Sequence, residues 1–251
     1  MQIRAVDGIP EIRPGDDLAA AIGREADLDA DVLCVASTVV AKATGRYADL
    51  ADYEPSDRAR SIADRIDRAD PRFIEAVIQE SEEIVLEDPF VLAVTPFGHV
   101  GVNAGIDRSN APGGDILLLP EAPGEHAAAL RDSLAAEGFE GGVIVTDTSG
   151  RPFRAGQRGV ALGWAGLPAC RDYRGEHDRE GHELEATVEA VVDELSAAAN
   201  LVMGEADAGR PAATIHGFEF GDHDESDRLF RDRETDFVRQ ALATFDVDSQ
   251  R

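Results

Sequence analysis

Two rhythms of apolar residues run along the chain. Residues 31–36, DVLCVA, and 142–146, GVIVT, are continuous apolar runs of strand length, the pattern of strands buried on both faces. Residues 90–105, FVLAVTPFGHVGVNAG, place two apolar runs around a turn containing Pro and Gly, which predicts a β-hairpin, and 116–119 reads as a further strand. Helical spacing predicts helices over 16–26, 56–69, 71–84, with Pro71 at a first helical position, and 120–138, closed by a Gly stop signal. A long core helix is predicted over 183–203 from Leu184, Val188, Val191, Leu195 and Ala198. A polar loop over 217–225 then leads to a last helix over 228–245, carried by Phe230, Phe237, Val238, Leu242 and Phe245. With neither an internal repeat nor a linker in view, the pattern predicts one unit over 1–251, with an α+β fold of a β-rich core and surrounding helices.

Charge changes this picture. The 50 Asp and Glu against 24 Lys and Arg leave −26, and Lys42 is the single lysine. A surface of that sign repels nucleic acid and anionic lipid, so neither is expected as a partner. Acid excess with almost no lysine is the pattern of a protein working in concentrated salt, where a Debye length of about 3 Å at molar ionic strength screens self-repulsion. Cys34 and Cys170 lack metal-ligand spacing, and Cys34 in VLCVA reads as packed core. No run approaches a membrane span and MQIRAVDGIPEI lacks the apolar core of a signal peptide, so a cytoplasmic protein is expected.

Candidate chemistry gathers after the apolar runs. Asp107 in NAGIDRSN and Asp147 in VIVTDTSGR, the latter beside Thr148, offer the oxygen ligands that a hard cation such as Mg²⁺ takes together with substrate phosphates. Either Asp alone is also an ordinary turn residue. Ser37, Thr38 and Lys42 in ASTVVAKATGR supply hydroxyls and a compact charge for phosphate oxygens, although the stretch is not a P-loop and a solvated lysine reads equally well. Arg151 and Arg154 in SGRPFRAGQRG suit a loop that closes on an anion, or an exposed turn. His177 and His182 lack the HExxH spacing and read as solvated loop residues. The residues together point to a phosphate-handling enzyme dependent on Mg²⁺ or Mn²⁺.

The blocks DGIPEIRPGDDLA, DVLCVASTVVAKATGR, VNAGIDRSN, VIVTDTSGRPFRAGQRGVALGWAG and YRGEHDREGHELEATVEAVVDELSAAANLVMGE, in this order between about Gly8 and Gly217, resemble the coenzyme F-420:L-glutamate ligase (γ-glutamyl ligase) family. The resemblance implies that family's own fold, an intertwined homodimer, and GTP-dependent amide formation. GTP would phosphorylate a carboxylate of the coenzyme precursor, L-glutamate would attack the acyl phosphate, and a second, γ-linked glutamate would follow. It implies Asp107 and Asp147 as metal ligands, Thr148 as a ligand of a second divalent ion, and K⁺ as a stimulating cation. It also implies GTP contacts at Ile9, Pro10, Glu11, Ile12, Ser37, Thr38, Lys42, Asn110, Leu201, Val202, Met203, Gly204 and Glu205, with Glu205 an additional metal contact. Arg151 and Arg154 fall in its RxxR block, where a role toward the substrate phosphodiester or the acyl phosphate is expected. Residues 218–251 lie beyond the motifs as a polar loop and a C-terminal helix. Two alternatives stay open: an amide ligase for another carboxylated metabolite, and a silent nucleotide-binding protein of the same fold.

Overall fold

A computed structural model of the chain describes residues 1–108, 111 and 113–248. Its elements follow as β1 (Gln2–Ala5), α1 (Leu18–Gly23), β2 (Val32–Ala36), α2 (Ser37–Ala43), β3 (Tyr47–Ala48), α3 (Asp57–Ala63), α4 (Pro71–Gln79), β4 (Glu83–Leu86), β5 (Leu92–Val94), β6 (Val100–Val102), β7 (Ile116–Leu117), α5 (Pro123–Ala135), β8 (Gly142–Arg151), β9 (Arg154–Ala165), β10 (Cys170–Asp172), β11 (Val188–Glu189), α6 (Val191–Met203), β12 (Ala212–His216), β13 (Asp224–Ser226) and α7 (Phe237–Asp248). The content is mixed α and β over several sheets, in keeping with the α+β reading. Among the described residues, no helix is long and apolar enough to cross a membrane. The sequence reads as a single unit; backbone packing divides the chain into a first compact unit, Met1–Gly45 with Ala122–Leu229, and a second, Arg46–Glu121 with Phe230–Arg251.

The first unit is built on a five-stranded sheet of order β1-β12-β2-β8-β9, in which β2 and β8 are parallel and the other neighbours antiparallel. Strand alternation divides its apolar side chains between two cores. Leu33, Val35, Val143 and Val145 pack with Ile22, Leu130 and Leu134, while Val32, Cys34, Ile144 and Ile215 pack with Val192, Leu195 and Ala199. Each such Leu or Ile contributes about 2 kcal/mol of apolar burial, which is why the two central strands are apolar throughout. Asp17 caps α1 by accepting from the N–H of Ala20 at 3.0 Å.

Two predictions in this unit change. The glycine-rich stretch after Thr146 is a long hairpin, with β8 running on to Arg151 and β9 spanning Arg154–Ala165. Its glycines mark close approach, since a Cβ at Gly163 would overlap the backbone of Pro123 and Gly124 at the start of α5, and one at Gly159 would overlap the Ser196 carbonyl on α6. The long helix begins at Val191, because residues ahead of it form β11 against β10.

The second unit packs α3 and α4 over the antiparallel sheet β4-β5-β6, with Ile62, Phe73, Val77, Val91, Ala93 and Ile116 in its core. The predicted hairpin appears as β5 and β6 in the register Leu92↔Val102. α3 and α4 start where capping predicts, at Ser56 and at Asp70 before Pro71, but end at Ala63 and Gln79. The helical pattern overruns because Glu83–Leu86 carries β-branched Ile84 and Val85 and pairs as β4 with β5. The last helix likewise starts late, at Phe237. Between β6 and Asp107 the backbone makes one left-handed turn: Asn103, Ala104 and Gly105 have φ of 53°, 53° and 72°.

Candidate active site

In the first unit β2 ends at Ala36, whose parallel partner on β8 is Thr146. The next residues are Ser37 and Thr38 after β2 and Asp147 and Thr148 along β8, so the candidate groups meet toward the carboxyl ends of two parallel strands, where open α/β sheets place ligand sites. Ser37 is buried at the first position of α2, and Thr38 shares a helix face with Lys42 four residues on.

Lys42 is buried to 11 % side-chain exposure, and its ammonium donates to Glu11 Oε1 at 2.7 Å. The bond brings together two of the positions expected to contact nucleotide. The flanking Ile9 and Ile12 are packed in the core with Val39 and Val40, as is Met203 on the other side of the sheet, so nucleotide contacts from these three would come from the backbone. Leu201 and Glu205 are exposed, and Gly204, at φ 81°, ends α6 and turns the chain toward Glu205.

At that end of α6, Glu205 Oε1 accepts from Thr148 Oγ1 at 3.0 Å and from Asn200 Nδ2 at 2.6 Å. The carboxylate and hydroxyl oxygens suit a hard divalent cation, and the Asn200 amide N–H orients the carboxylate. Asp147 and Thr148 pair in regular register with Val160 and Gly159, so by strand alternation they face opposite sides of the sheet. A cation held by Asp147 would therefore be a different one from that held by Thr148 and Glu205. Asn200 was not singled out by the sequence; its one signal is an amide in the apolar helix directly before LVMGE. Among the described residues, no three His, Cys, Asp or Glu side chains converge as a metal cage, so any cation would draw on other oxygens as well.

Arg151 and Arg154 stand directly opposite each other at the hairpin tip, roughly 10 Å along the strand from Thr148. The expected loop is instead a two-residue turn, in which Phe153 adopts φ 63° with its ring fully exposed. Arg151 Nη1 donates to the Gly156 carbonyl at 3.3 Å. His177 and His182 are exposed, as read from sequence. Burial pushes the Cys34 thiol up to about 12, which keeps it protonated and excludes it as a nucleophile near neutral pH.

Asp107 belongs to the second unit, one extended residue beyond the left-handed turn, where its backbone exchanges hydrogen bonds with Leu117 at 2.9 and 2.8 Å. Asn110, expected to contact nucleotide, lies outside the described residues.

Residues 8–217 match the sequence model of the F420-0:Gamma-glutamyl ligase family. A protein of Haloarcula marismortui named coenzyme F420:L-glutamate ligase is 62 % identical over 249 residues, covering 96 % of this chain and 97 % of its own. A Halobacterium salinarum protein of the same name is 61 % identical, covering 99 % of both chains. One from Archaeoglobus fulgidus is 44 % identical over 96 % of this chain and 98 % of its own.

Proposed function

The chain belongs to the F420-0:Gamma-glutamyl ligase family, and from that premise we propose that it joins L-glutamate to a carboxylate of the coenzyme F420 precursor at the expense of GTP. The reaction proceeds through an acyl phosphate. The substrate carboxylate attacks the γ-phosphorus and releases GDP; the glutamate amine then attacks the activated acyl carbon, loses a proton and expels inorganic phosphate. A second, γ-linked addition follows by the same steps.

The observation that carries this reading is the cluster Thr148, Glu205 and Asn200 at the sheet end where Ser37 and Thr38 begin α2. Mg²⁺ or Mn²⁺, when bound, would neutralise the charge that builds on phosphoryl oxygens during transfer. Thr148 and Glu205 would hold one such ion. Asp147, on the opposite strand face, would serve another, and Asp107 keeps its place as a carboxylate ligand on the sequence resemblance. Lys42, with Ser37 and Thr38, would bind phosphate oxygens of GTP. Like charges directly opposite across a hairpin destabilise it, so the Arg151 and Arg154 pair gains from an anion, and the phosphorylated substrate supplies one. K⁺ as a stimulating ion, a homodimer and a cytoplasmic setting belong to the same proposal.

Purified protein in molar KCl with GTP, Mn²⁺, L-glutamate and the unglutamylated coenzyme should raise the coenzyme mass by one or two glutamyl units and release GDP in step. GDP release without a mass increase would assign the carboxylate acceptor elsewhere.

A further inference from the structure

The second unit holds a cavity of about 330 Å³ whose lining residues have no role in the site above. That is at the small end of the range for small-molecule sites, about 300–1,000 Å³. Arg46 reaches into its wall with a nearly buried guanidinium that is shared three ways. Nε donates to the Leu119 carbonyl at 2.9 Å, Nη2 to Glu80 Oε2 at 2.6 Å and Nη1 to Glu121 Oε1 at 2.6 Å. The two carboxylates differ in kind. Glu80 is mostly buried at the end of α4, whereas the Glu121 side chain is 77 % exposed. Phe97, Ala104 and Pro120 supply apolar wall.

One cation serving two carboxylates leaves the trio one negative charge in excess, and the exposed pair with Glu121 is worth little. Such an arrangement accepts a ligand that brings its own ammonium and a carboxylate able to take the place of Glu121. An α-amino acid presents those two groups on one carbon. We propose that this cavity binds the α-amino-acid substrate, with Glu80 holding its ammonium, Arg46 Nη1 taking its α-carboxylate as Glu121 swings out, and the apolar wall lying against its methylenes. The identity of that amino acid, L-glutamate, rests on the ligase reading; the recognition of an amino-acid head group rests on the cavity.

The test is steady-state kinetics of the full chain in molar KCl, varying L-glutamate and GTP separately. Glu80→Gln should raise the KM for L-glutamate about tenfold or more, the loss of a charge-assisted hydrogen bond. Glu121→Gln, at an exposed side chain that the fold does not depend on, should lower it, by about two- to fivefold. The KM for GTP should stay at its wild-type value in both. An unchanged KM for L-glutamate in both variants, or a rise in both as loss of a merely structural network would give, overturns the site. If the wild type makes no product, it is the ligase reading that falls, and saturation-transfer NMR with L-glutamate decides the cavity by itself. A signal in the wild type that Glu80→Gln abolishes upholds the site, and no signal in the wild type overturns it.

Discussion

Asp147 and Asp107 are offered for the same task and are held in opposite ways. Asp147 sits inside a ten-residue strand, in register with Val160, in a unit whose central strands are packed on both faces. Asp107 follows three residues in the left-handed region, in a unit with a short three-stranded sheet. Left-handed backbone costs roughly 1–2 kcal/mol for each residue bearing a Cβ, so Asn103 and Ala104 store strain three to four positions ahead of Asp107, whereas the hairpin of Asp147 carries one such residue, Phe153, at its tip. The second unit also carries His99, which burial drives down to about 4 from an ordinary 6.5. One unit aims its carboxylate from a short regular stretch of strand between two register shifts, the other from beyond a left-handed turn that the surrounding packing must enforce.

The largest effect that sharpens the comparison is catalytic. Asp147→Asn and Asp107→Asn should each lower kcat by a factor on the order of 10² to 10³, the scale of losing one electrostatic stabiliser of the transition state, with melting temperatures near wild type. Retained turnover in only one of the two would break the parallel between them. An intermediate effect concerns acid. His99 stays neutral in the folded state while the unfolded chain takes up its proton, so stability is fully present above about pH 6.5 and is lost as pH falls toward about 4. Between pH 7 and 4.5 this amounts to about 2 kcal/mol. Urea midpoints should show that loss in the wild type and less of it in His99→Gln, with hydrogen exchange at pH 4.5 accelerating first in residues 46–121; identical acid sensitivity in the two proteins would remove His99 as its cause. The smallest effect isolates the left-handed turn. Ala93→Gly, in buried β5 with ordinary dihedrals, should cost about 2 kcal/mol through a lost methyl contact and added chain entropy. Ala104→Gly loses a similar buried methyl but is relieved of its positive φ, so its cost should fall within about 1 kcal/mol of zero. Equal costs in denaturant melts would mean that the turn is not strained.

The elements legible in the sequence are those in which one physical signal dominates. The apolar runs at 32–36 and 142–146 are strands because both of their faces are covered, and Ser56 and Asp70 start helices because their side chains satisfy first-turn N–H groups. Reading fails where a residue answers to a distant partner. Gly159 and Gly163 resemble loop residues until α6 and α5 are set against them, so the hairpin they belong to carries no local signal. The segment before Val191 keeps helical spacing but is claimed by β10. At the candidate site, Thr148 and Lys42 were legible from residue type and from their position after buried strands. The closure of Glu205 onto Thr148 joins positions more than fifty residues apart in sequence, which no local pattern signals. That the two candidate metal ligands Asp147 and Thr148 face opposite ways follows from period-two alternation, which was readable only once β8 was known to continue past Thr146.

The bond between Lys42 and Glu11 carries a consequence for how the molecule behaves between turnovers. The ammonium is largely withdrawn from solvent while the carboxylate is not, so molar salt screens the pair less than the many exposed pairs around it. It adds a polar tie between Glu11 and α2 to the apolar one already made by Ile9 and Ile12 against Val39 and Val40. On the proposed reading, an incoming phosphate that took the ammonium would free only the Glu11 carboxylate, while Ile12 in the core would keep the backbone beside it in place.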